Sequence, residues 1–164
     1  MFLIDANVLI TANNTYFPLA DFPPYWDWLE RQGADGQIKM PREIYEEISG
    51  GSDELADWIK SADVKDALLL DEEADLGLVR QAMQWGYQAD NPKFTDSEVI
   101  KIGRDAFLVA YGLVDSSRII STKEVSKRTK RLGASRLPDA CNDCGVKWCD
   151  DFTMQRHLDF NLRR

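Results

Sequence analysis

The chain has 164 residues, 44% of them hydrophobic, which suits one compact domain with a substantial core. Its 28 acidic residues outnumber its 20 basic residues, and the net charge of −8 argues against a general nucleic-acid coat protein. The apolar run at residues 2–4 is too short for a signal peptide, and no run of about 18 apolar residues could span a membrane. We therefore expect a cytoplasmic protein without membrane contacts.

Short apolar segments alternate with amphipathic segments along the chain. Strands are predicted at residues 2–5, 37–40, 67–70, 118–121 and 146–149. Helices are predicted at residues 22–34, 41–49, 52–60, 72–87, 95–113, 137–144 and 152–163, with a break in the fifth at Gly103. This alternation predicts an α/β fold with a parallel sheet covered on both faces. We expect residues 1–164 to form a single domain, with residues 52–90 as a candidate helical insertion.

Two acidic residues lie at or shortly after the ends of predicted strands. Asp5 ends the strand at residues 2–5, and Glu124 follows the strand at 118–121. Functional sites of parallel α/β sheets form outside the carboxyl ends of the strands, so both residues are candidates for a site. The alternatives are that Asp5 caps the next helix and that Glu124 is an ordinary loop residue.

Two further acids lie beside the apolar stripes of predicted helices. Glu47 falls about 60° around its helix from Ile44, whereas Glu46 falls about 160° away and faces water. Asp105 falls about 60° from Ile102 by the same reasoning. A carboxylate beside the core needs a partner, and a distant Lys or Arg is the alternative to a functional role.

Together, these acids suggest a metal site. Four carboxylates cannot all ionise close together without a cation. Carboxylate oxygens suit Mg²⁺ or Mn²⁺, and such an ion can activate water and stabilise the charge of a phosphoryl transition state. The predicted set is Asp5, Glu47, Asp105 and Glu124, with Asn7 and Thr122 assisting through hydrogen bonds.

Four motifs resemble those of PIN-domain nucleases. Residues 2–10, FLIDANVLI, resemble the family's opening, and residues 41–48, PREIYEEI, resemble its second motif, with the acid at Glu47. Residues 105–110, DAFLVA, and residues 119–124, IISTKE, resemble the third and fourth motifs. Near the carboxyl end, LPDAC and GVKWC are similar to a bacterial and archaeal branch of this superfamily.

The resemblance implies a Rossmann-like three-layer α/β/α sandwich, a divalent metal and hydrolysis of RNA phosphodiester bonds. Its relatives include VapC-type toxins, which implies that an antitoxin protein is a candidate partner, and a homodimer stays open. Two positions depart from the family pattern. Glu124 stands where Asp is commoner, and Arg104 stands where many relatives have a small or apolar residue.

A basic segment follows the fourth motif. Residues 123–136 contain six basic residues and one acid. We predict that this segment contacts RNA phosphates, with a plain solvated loop as the alternative. The predicted RNA-binding residues are Lys123, Lys127, Arg128, Lys130 and Arg131.

The sequence lends less support to disulfide bonds, a zinc site or histidine-based catalysis. Three cysteines are too few for a disulfide scaffold. Cys141, Cys144, Cys149 and His157 could be read as zinc ligands, but no second paired-ligand knuckle exists, so we expect no zinc. A single histidine argues against Ser-His or Cys-His catalysis.

Two alternatives to a ribonuclease stay open. One is a catalytically silent PIN-like module that binds a partner protein. The other is a different metal-dependent phosphohydrolase, although Asn7 stands where aspartyl-phosphate phosphatases carry a second aspartate.

Overall fold

The computed structural model describes residues 1–161, which form a three-layer α/β/α sandwich of the Rossmann-like type. Its sheet is parallel throughout, with the strand order β2-β1-β3-β4. The strands are β1 (Phe2–Ile4), β2 (Ile38–Lys39), β3 (Ile119–Ser121) and β4 (Lys147–Cys149). The predicted α/β fold with a central parallel sheet is confirmed.

Ten α-helices surround the sheet in the described part of the chain. A π-helical turn at Ala12–Tyr16 and a 3-10 turn at Leu132–Ala134 complete the regular structure. The α-helices are α1 (Ala6–Thr11), α2 (Pro23–Ala34), α3 (Arg42–Ser49), α4 (Glu54–Lys60), α5 (Ala62–Leu68), α6 (Leu76–Tyr87), α7 (Asp96–Ile102), α8 (Asp105–Val114), α9 (Leu137–Cys144) and α10 (Asp151–His157).

The central strand pair brings distant parts of the chain together. β1 is apolar and fully buried, as expected of a strand covered on both faces. It pairs with β3 in a register that sets Ile4 opposite Ser121. The next residue, Asp5, donates its backbone amide to the Ser121 carbonyl at 3.0 Å. The carboxyl ends of the two strands, and the residues that follow them, therefore lie side by side.

The prediction of a strand at residues 67–70 is wrong. Helix α5 extends to Leu68, and only Leu69 forms an isolated parallel bridge, with Met40. The short apolar run fits a strand or a buried helix equally well, so its partners decide. α5 packs against α2, where a Cβ on Gly33 would lie 2.7 Å from a Leu68 methyl carbon. This close packing holds Ala67 and Leu68 in the helix.

Several helix ends differ from those predicted. Asp53 rather than Ser52 caps α4, by accepting the Ala56 amide at 2.8 Å. Helix α6 begins at Leu76 rather than at residue 72, because Asp75 accepts the amides of the first turn. The predicted final helix at 152–163 is α10 and ends at His157, and residues 162–163 lie outside the described residues.

The predicted break at Gly103 is confirmed. Gly103 has a φ of +56°, a conformation that favours glycine, and it separates α7 from α8. Residues 52–90 share the main core, because α4 packs against α3 and α6 packs against α8 and α9. Among residues 1–161, every helix is too short or too polar to span a lipid bilayer.

Candidate functional site

Asp5 lies buried at the carboxyl end of β1, with 5% of its surface exposed. It occupies the N-cap position of α1, but its side chain forms no capping hydrogen bond. Instead, its carboxylate accepts a hydrogen bond of 2.8 Å from the hydroxyl of Thr122, which is fully buried. The side chain of Asp5 is therefore held toward the end of β3, which weakens the helix-cap interpretation.

Asn7 strengthens the link between the two strand ends. Its side-chain oxygen accepts the backbone amide of Lys123 at 2.9 Å, and its amide nitrogen lies 3.4 Å from the Thr122 hydroxyl. The same hydroxyl accepts the backbone amide of Glu124 at 3.1 Å. Asn7 and Thr122, the two predicted assisting residues, are thus brought together and shape the turn that carries Glu124.

Asp105 is the first residue of α8 and is partly buried. Because Gly103 breaks the helix, the angle from Ile102 does not determine its position, and the sequence argument for it rested on the wrong geometry. No side chain or amide within residues 1–161 donates a hydrogen bond to its carboxylate. Burial, followed by the charges of Asp5, Glu124 and Glu47, raises the pKa of Asp105 to about 8.

The pKa of Asp5 is also raised, to about 6. Burial is the main cause, the Thr122 hydrogen bond opposes it, and the charges of Glu124 and Glu47 add to it. The charges of Glu47 and Glu124 therefore act on both Asp5 and Asp105, and the charge of Asp5 acts on Asp105. One acid from each of the four motifs thus takes part in the same electrostatic cluster.

Helix α3 presents two neighbouring glutamates in different ways. Glu46 is exposed and pairs with Arg104 at 2.9 Å, and the same guanidinium donates to the Glu43 carbonyl. Glu47 is exposed too, but its charge raises the pKa of both Asp5 and Asp105. Burial raises the pKa of Glu47 itself, and the charge of Arg104 lowers it. Arg104, the unusual residue before the third acid, therefore fastens α3 to the start of α8.

Glu124 also forms contacts outside the acidic cluster. Its carboxylate accepts the backbone amide of Leu137, the first residue of α9, at 2.8 Å. It also pairs with Arg136 at 3.5 Å. This carboxylate is therefore shared between the acidic cluster and a helix start, and it is better placed for an outer role than Asp5 or Asp105.

The four acids are the right type of ligand for a hard divalent cation, but their side chains lie too far apart to bind one as they stand. No three acidic, histidine or cysteine side chains in the described part of the chain are grouped closely enough to form a metal site as they stand. The donors are nevertheless carboxylates, the ligands that suit Mg²⁺ and Mn²⁺. Glu47 forms no hydrogen bond within residues 1–161, so its exposed side chain can turn towards Asp105 without breaking one.

The basic loop, residues 123–136, runs beside this cluster. It contributes to a cleft of about 450 Å³, which one of the four acids, Glu124, lines. The lining residues are Asn7, Lys123, Glu124, Val125, Ser126, Lys127 and Arg136.

Some basic side chains of the loop are paired with acids of the protein, and others are exposed and can contact a ligand. Lys123 is largely buried, pairs with Asp151 at 2.9 Å and contacts the rings of both Tyr16 and Phe152. Arg128 pairs with Asp139 and Asp143. The remaining predicted RNA-binding residues are exposed, and none pairs with a carboxylate among residues 1–161. These are Lys127, Lys130 and Arg131.

The cysteines lie away from the solvent. Cys141 and Cys144 lie buried on α9, and Cys149 is partly buried at the end of β4. His157 packs its ring edge-to-face on Phe2, with the ring centres 5.3 Å apart. Burial raises the pKa of the Cys144 thiol to about 11, which disfavours its thiolate form.

Sequence reasoning missed two buried acids beside the site, Asp139 and Asp151. Both lie in the first turn of a helix, where acidic residues are common, so they carried no special signal. Their importance comes from loop residues 11 to 28 positions away, which only the fold brings near. Pro138, directly before Asp139, indicated the start of a helix, but nothing in the sequence indicated which residues Asp139 would contact.

Comparison with known families gives a match across nearly the whole chain. The family model, described as a domain of unknown function (DUF4411), covers residues 2–162. No curated protein and no solved structure matches the chain. The matched range includes all four acids and the basic loop, and the chain belongs to the DUF4411 family.

Proposed function

We propose that this protein is a divalent-metal-dependent endoribonuclease of the PIN-like type. The observation that carries the proposal is that one acid from each of four separate motifs takes part in one electrostatic cluster at the carboxyl edge of a parallel sheet, where the charges of the other three all act on Asp105. The raised pKa values of Asp5 and Asp105 within this cluster favour a functional site over a structural one. The motif resemblance supplies the substrate class, RNA.

In this proposal, Asp5, Glu47 and Asp105 hold Mg²⁺ or Mn²⁺, and Glu124 is a fourth or outer ligand. Such an ion, when bound, lowers the pKa of water and offsets the charge that develops on the phosphodiester. Thr122 orients the Asp5 carboxylate through its hydroxyl, because the hydrogen bond leaves that side chain little rotational freedom. Asn7 holds the backbone of the turn that carries Glu124.

The cleft supports a substrate with several phosphates. Lys127 lies exposed on its lining, and Lys130 and Arg131 continue the positive charge along the basic loop. Contacts from such side chains position a strand without reading its bases. The acids would then lie at one end of a bound strand and the unpaired basic residues along it.

The test compares two matched changes on either side of the site. Asp105→Asn removes a partly buried acid of the cluster, whereas Glu46→Gln removes an exposed acid that only pairs with Arg104. With a fluorogenic RNA and Mn²⁺, we expect wild type and Glu46→Gln to cleave, and Asp105→Asn and EDTA-treated wild type to remain at background. Equal activity of wild type and Asp105→Asn would contradict the proposal.

The same preparation separates the alternatives. A silent protein-binding module would neither bind Mn²⁺ at the acids nor cleave RNA. A different phosphohydrolase would turn over a small phosphate monoester in preference to RNA. Mn²⁺ titration and the two substrates therefore distinguish all three functions.

A protein inhibitor is part of the same proposal. Free ribonuclease activity harms the cell that contains it, and the motifs resemble those of VapC-type toxins. The acidic cluster adjoins the basic loop, whose exposed Lys127 lines the cleft together with Glu124. An antitoxin with an Arg facing Asp5 and Asp105, and acids facing the basic loop, would complement this charge pattern.

A further inference from the structure

The basic loop has almost no regular structure of its own. Between β3 and α9 it contains only the 3-10 turn Leu132–Ala134. A loop of this kind takes its shape from side-chain partners, because its backbone groups have few partners in helices or strands. The residues that supply these partners therefore determine where its basic side chains lie.

Asp139 is the main anchor of the loop. Its side chain is 4% exposed, and it accepts hydrogen bonds from the Ser126 hydroxyl and, at 2.7 Å, from the Lys127 backbone amide. Arg128 adds an ion pair of 3.3 Å to the same carboxylate. A buried carboxylate is stable only with several such donors, and all three come from consecutive loop residues. The loop therefore wraps around Asp139.

A second carboxylate fixes the far side of the loop. Glu98 on α7 accepts the Gly133 amide at 2.7 Å. A Cβ on Gly133 would lie 2.3 Å from the Glu98 carbonyl oxygen, so only glycine allows this approach. The loop is thus held at both sides, and the exposed residues between the anchors carry its unpaired positive charge.

Lys127 connects the anchor to the cleft. Its backbone amide bonds to Asp139, while its exposed side chain lines the cleft together with Glu124. We infer that Asp139 is a positioning residue for substrate binding, which sets the basic loop so that Lys127 contacts a backbone phosphate of the bound RNA. The inference rests on the proposed function, since it takes RNA as the substrate.

Asp143 provides the matched control. It also pairs with Arg128, at 2.6 Å, but it is 41% exposed and touches neither Ser126 nor Lys127. Asp139→Asn and Asp143→Asn remove the same charge, so a general electrostatic effect on RNA binding changes both equally. We expect Asp139→Asn to raise KM about tenfold, the loss expected for one charge-assisted hydrogen bond, with kcat nearly unchanged. Asp143→Asn should match wild type.

The salt dependence identifies the lost contact as a phosphate contact. The slope of log KM against log salt should fall by about 0.7 in Asp139→Asn, the value for one phosphate on a single strand. Lys127→Ala should reduce the slope equally, and the double variant should show no further loss, because both changes remove one interaction. Ser126→Ala, which removes one of the bonds to Asp139 and leaves α9 intact, should shift KM in the same direction if Asp139→Asn folds poorly.

The outcomes separate the two proposals. RNA cleavage with equal KM in wild type, Asp139→Asn and Ser126→Ala would overturn this inference and leave the nuclease standing. Additive effects of Asp139→Asn and Lys127→Ala would also overturn it, because Asp139 would then not act through Lys127. Wild type that neither binds nor cleaves RNA would overturn the proposed function, and this inference with it.

Discussion

The hydroxyl of Thr122 lies 2.8 Å from a carboxylate oxygen of Asp5, a residue 117 positions earlier in the chain. Both side chains are buried, so the bond is shielded from water. It exists because β1 and β3 are parallel neighbours whose carboxyl ends coincide. The first and fourth motifs are therefore joined at the atoms that the proposed chemistry uses.

Replacing Thr122 with valine keeps the shape and removes the donor. We expect the free energy of unfolding to fall by about 1–3 kcal/mol, because the Asp5 carboxylate loses a charge-assisted bond in a buried place. Mn²⁺ affinity should fall about 10- to 100-fold, as for other residues that orient metal ligands. Urea unfolding and Mn²⁺ titration measure the two effects. Thr122→Ser keeps the hydroxyl and should retain both properties, and equal losses in the two variants would contradict the role of the bond.

The pH dependence of stability provides a test without RNA. Asp5 and Asp105 have pKa values raised from 3.8 to about 6 and about 8, chiefly by burial. The folded chain therefore holds these protons more tightly than the unfolded chain. Their stabilisation is complete below about pH 4 and is lost as the pH rises through 6 and 8. The Asp5 shift alone corresponds to roughly 3 kcal/mol.

Asp105→Asn isolates this effect, because the amide stays neutral. In EDTA, we expect wild type to lose stability relative to Asp105→Asn between pH 5 and pH 8, measured by urea unfolding at each pH. Mn²⁺ should restore wild type at pH 8, since it binds the ionised acids, and should leave the variant unchanged. Parallel stability curves for the two proteins would count against the raised pKa of Asp105.

Much of the site could be predicted from local sequence patterns. Three apolar residues ending on Asp5 predicted a buried strand that ends in an acid, and the structure has both. The helical angle from Ile44 separated Glu47 from Glu46, and the structure pairs Glu46 with Arg104 outside the cluster. The strand and the acid at its end depend on geometry within one element, which the sequence determines directly. The role of Glu47 stays a prediction, because Glu46 and Glu47 are both exposed.

The features of the site that the sequence did not predict depend on contacts between residues that lie far apart in the chain. We predict from the sequence that Lys123 contacts RNA, but in the structure its ammonium pairs with Asp151 and contacts two aromatic rings. No local sequence pattern indicated that Asp139 would bind three consecutive residues of the basic loop. A residue's neighbours across the fold follow from strand order and loop paths, and a single sequence does not reveal them.

Two buried tyrosines should respond in opposite ways to loss of the hydroxyl. The Tyr87 hydroxyl is buried and has no hydrogen-bond partner within residues 1–161, whereas Tyr111 donates to the Glu72 carbonyl at 3.2 Å. Tyr87→Phe should leave the thermal midpoint unchanged or raise it, because an unpaired buried hydroxyl is unfavourable. Tyr111→Phe should lower stability by about 1 kcal/mol. A larger loss in Tyr87→Phe would indicate a partner for that hydroxyl.

The proposed nuclease also predicts an effect on growing cells. If the acids act on RNA with a common divalent ion, the wild-type chain will degrade RNA wherever no inhibitor covers its cleft. Induction in bacteria should therefore slow growth, and Asp5→Asn, expressed to the same level, should relieve it. Asp143→Asn should slow growth as wild type does, because Asp143 lies outside the acidic cluster. Equal growth with wild type and Asp5→Asn would contradict the toxin role, and the RNA-cleavage assay would still decide whether the protein is a nuclease with another task.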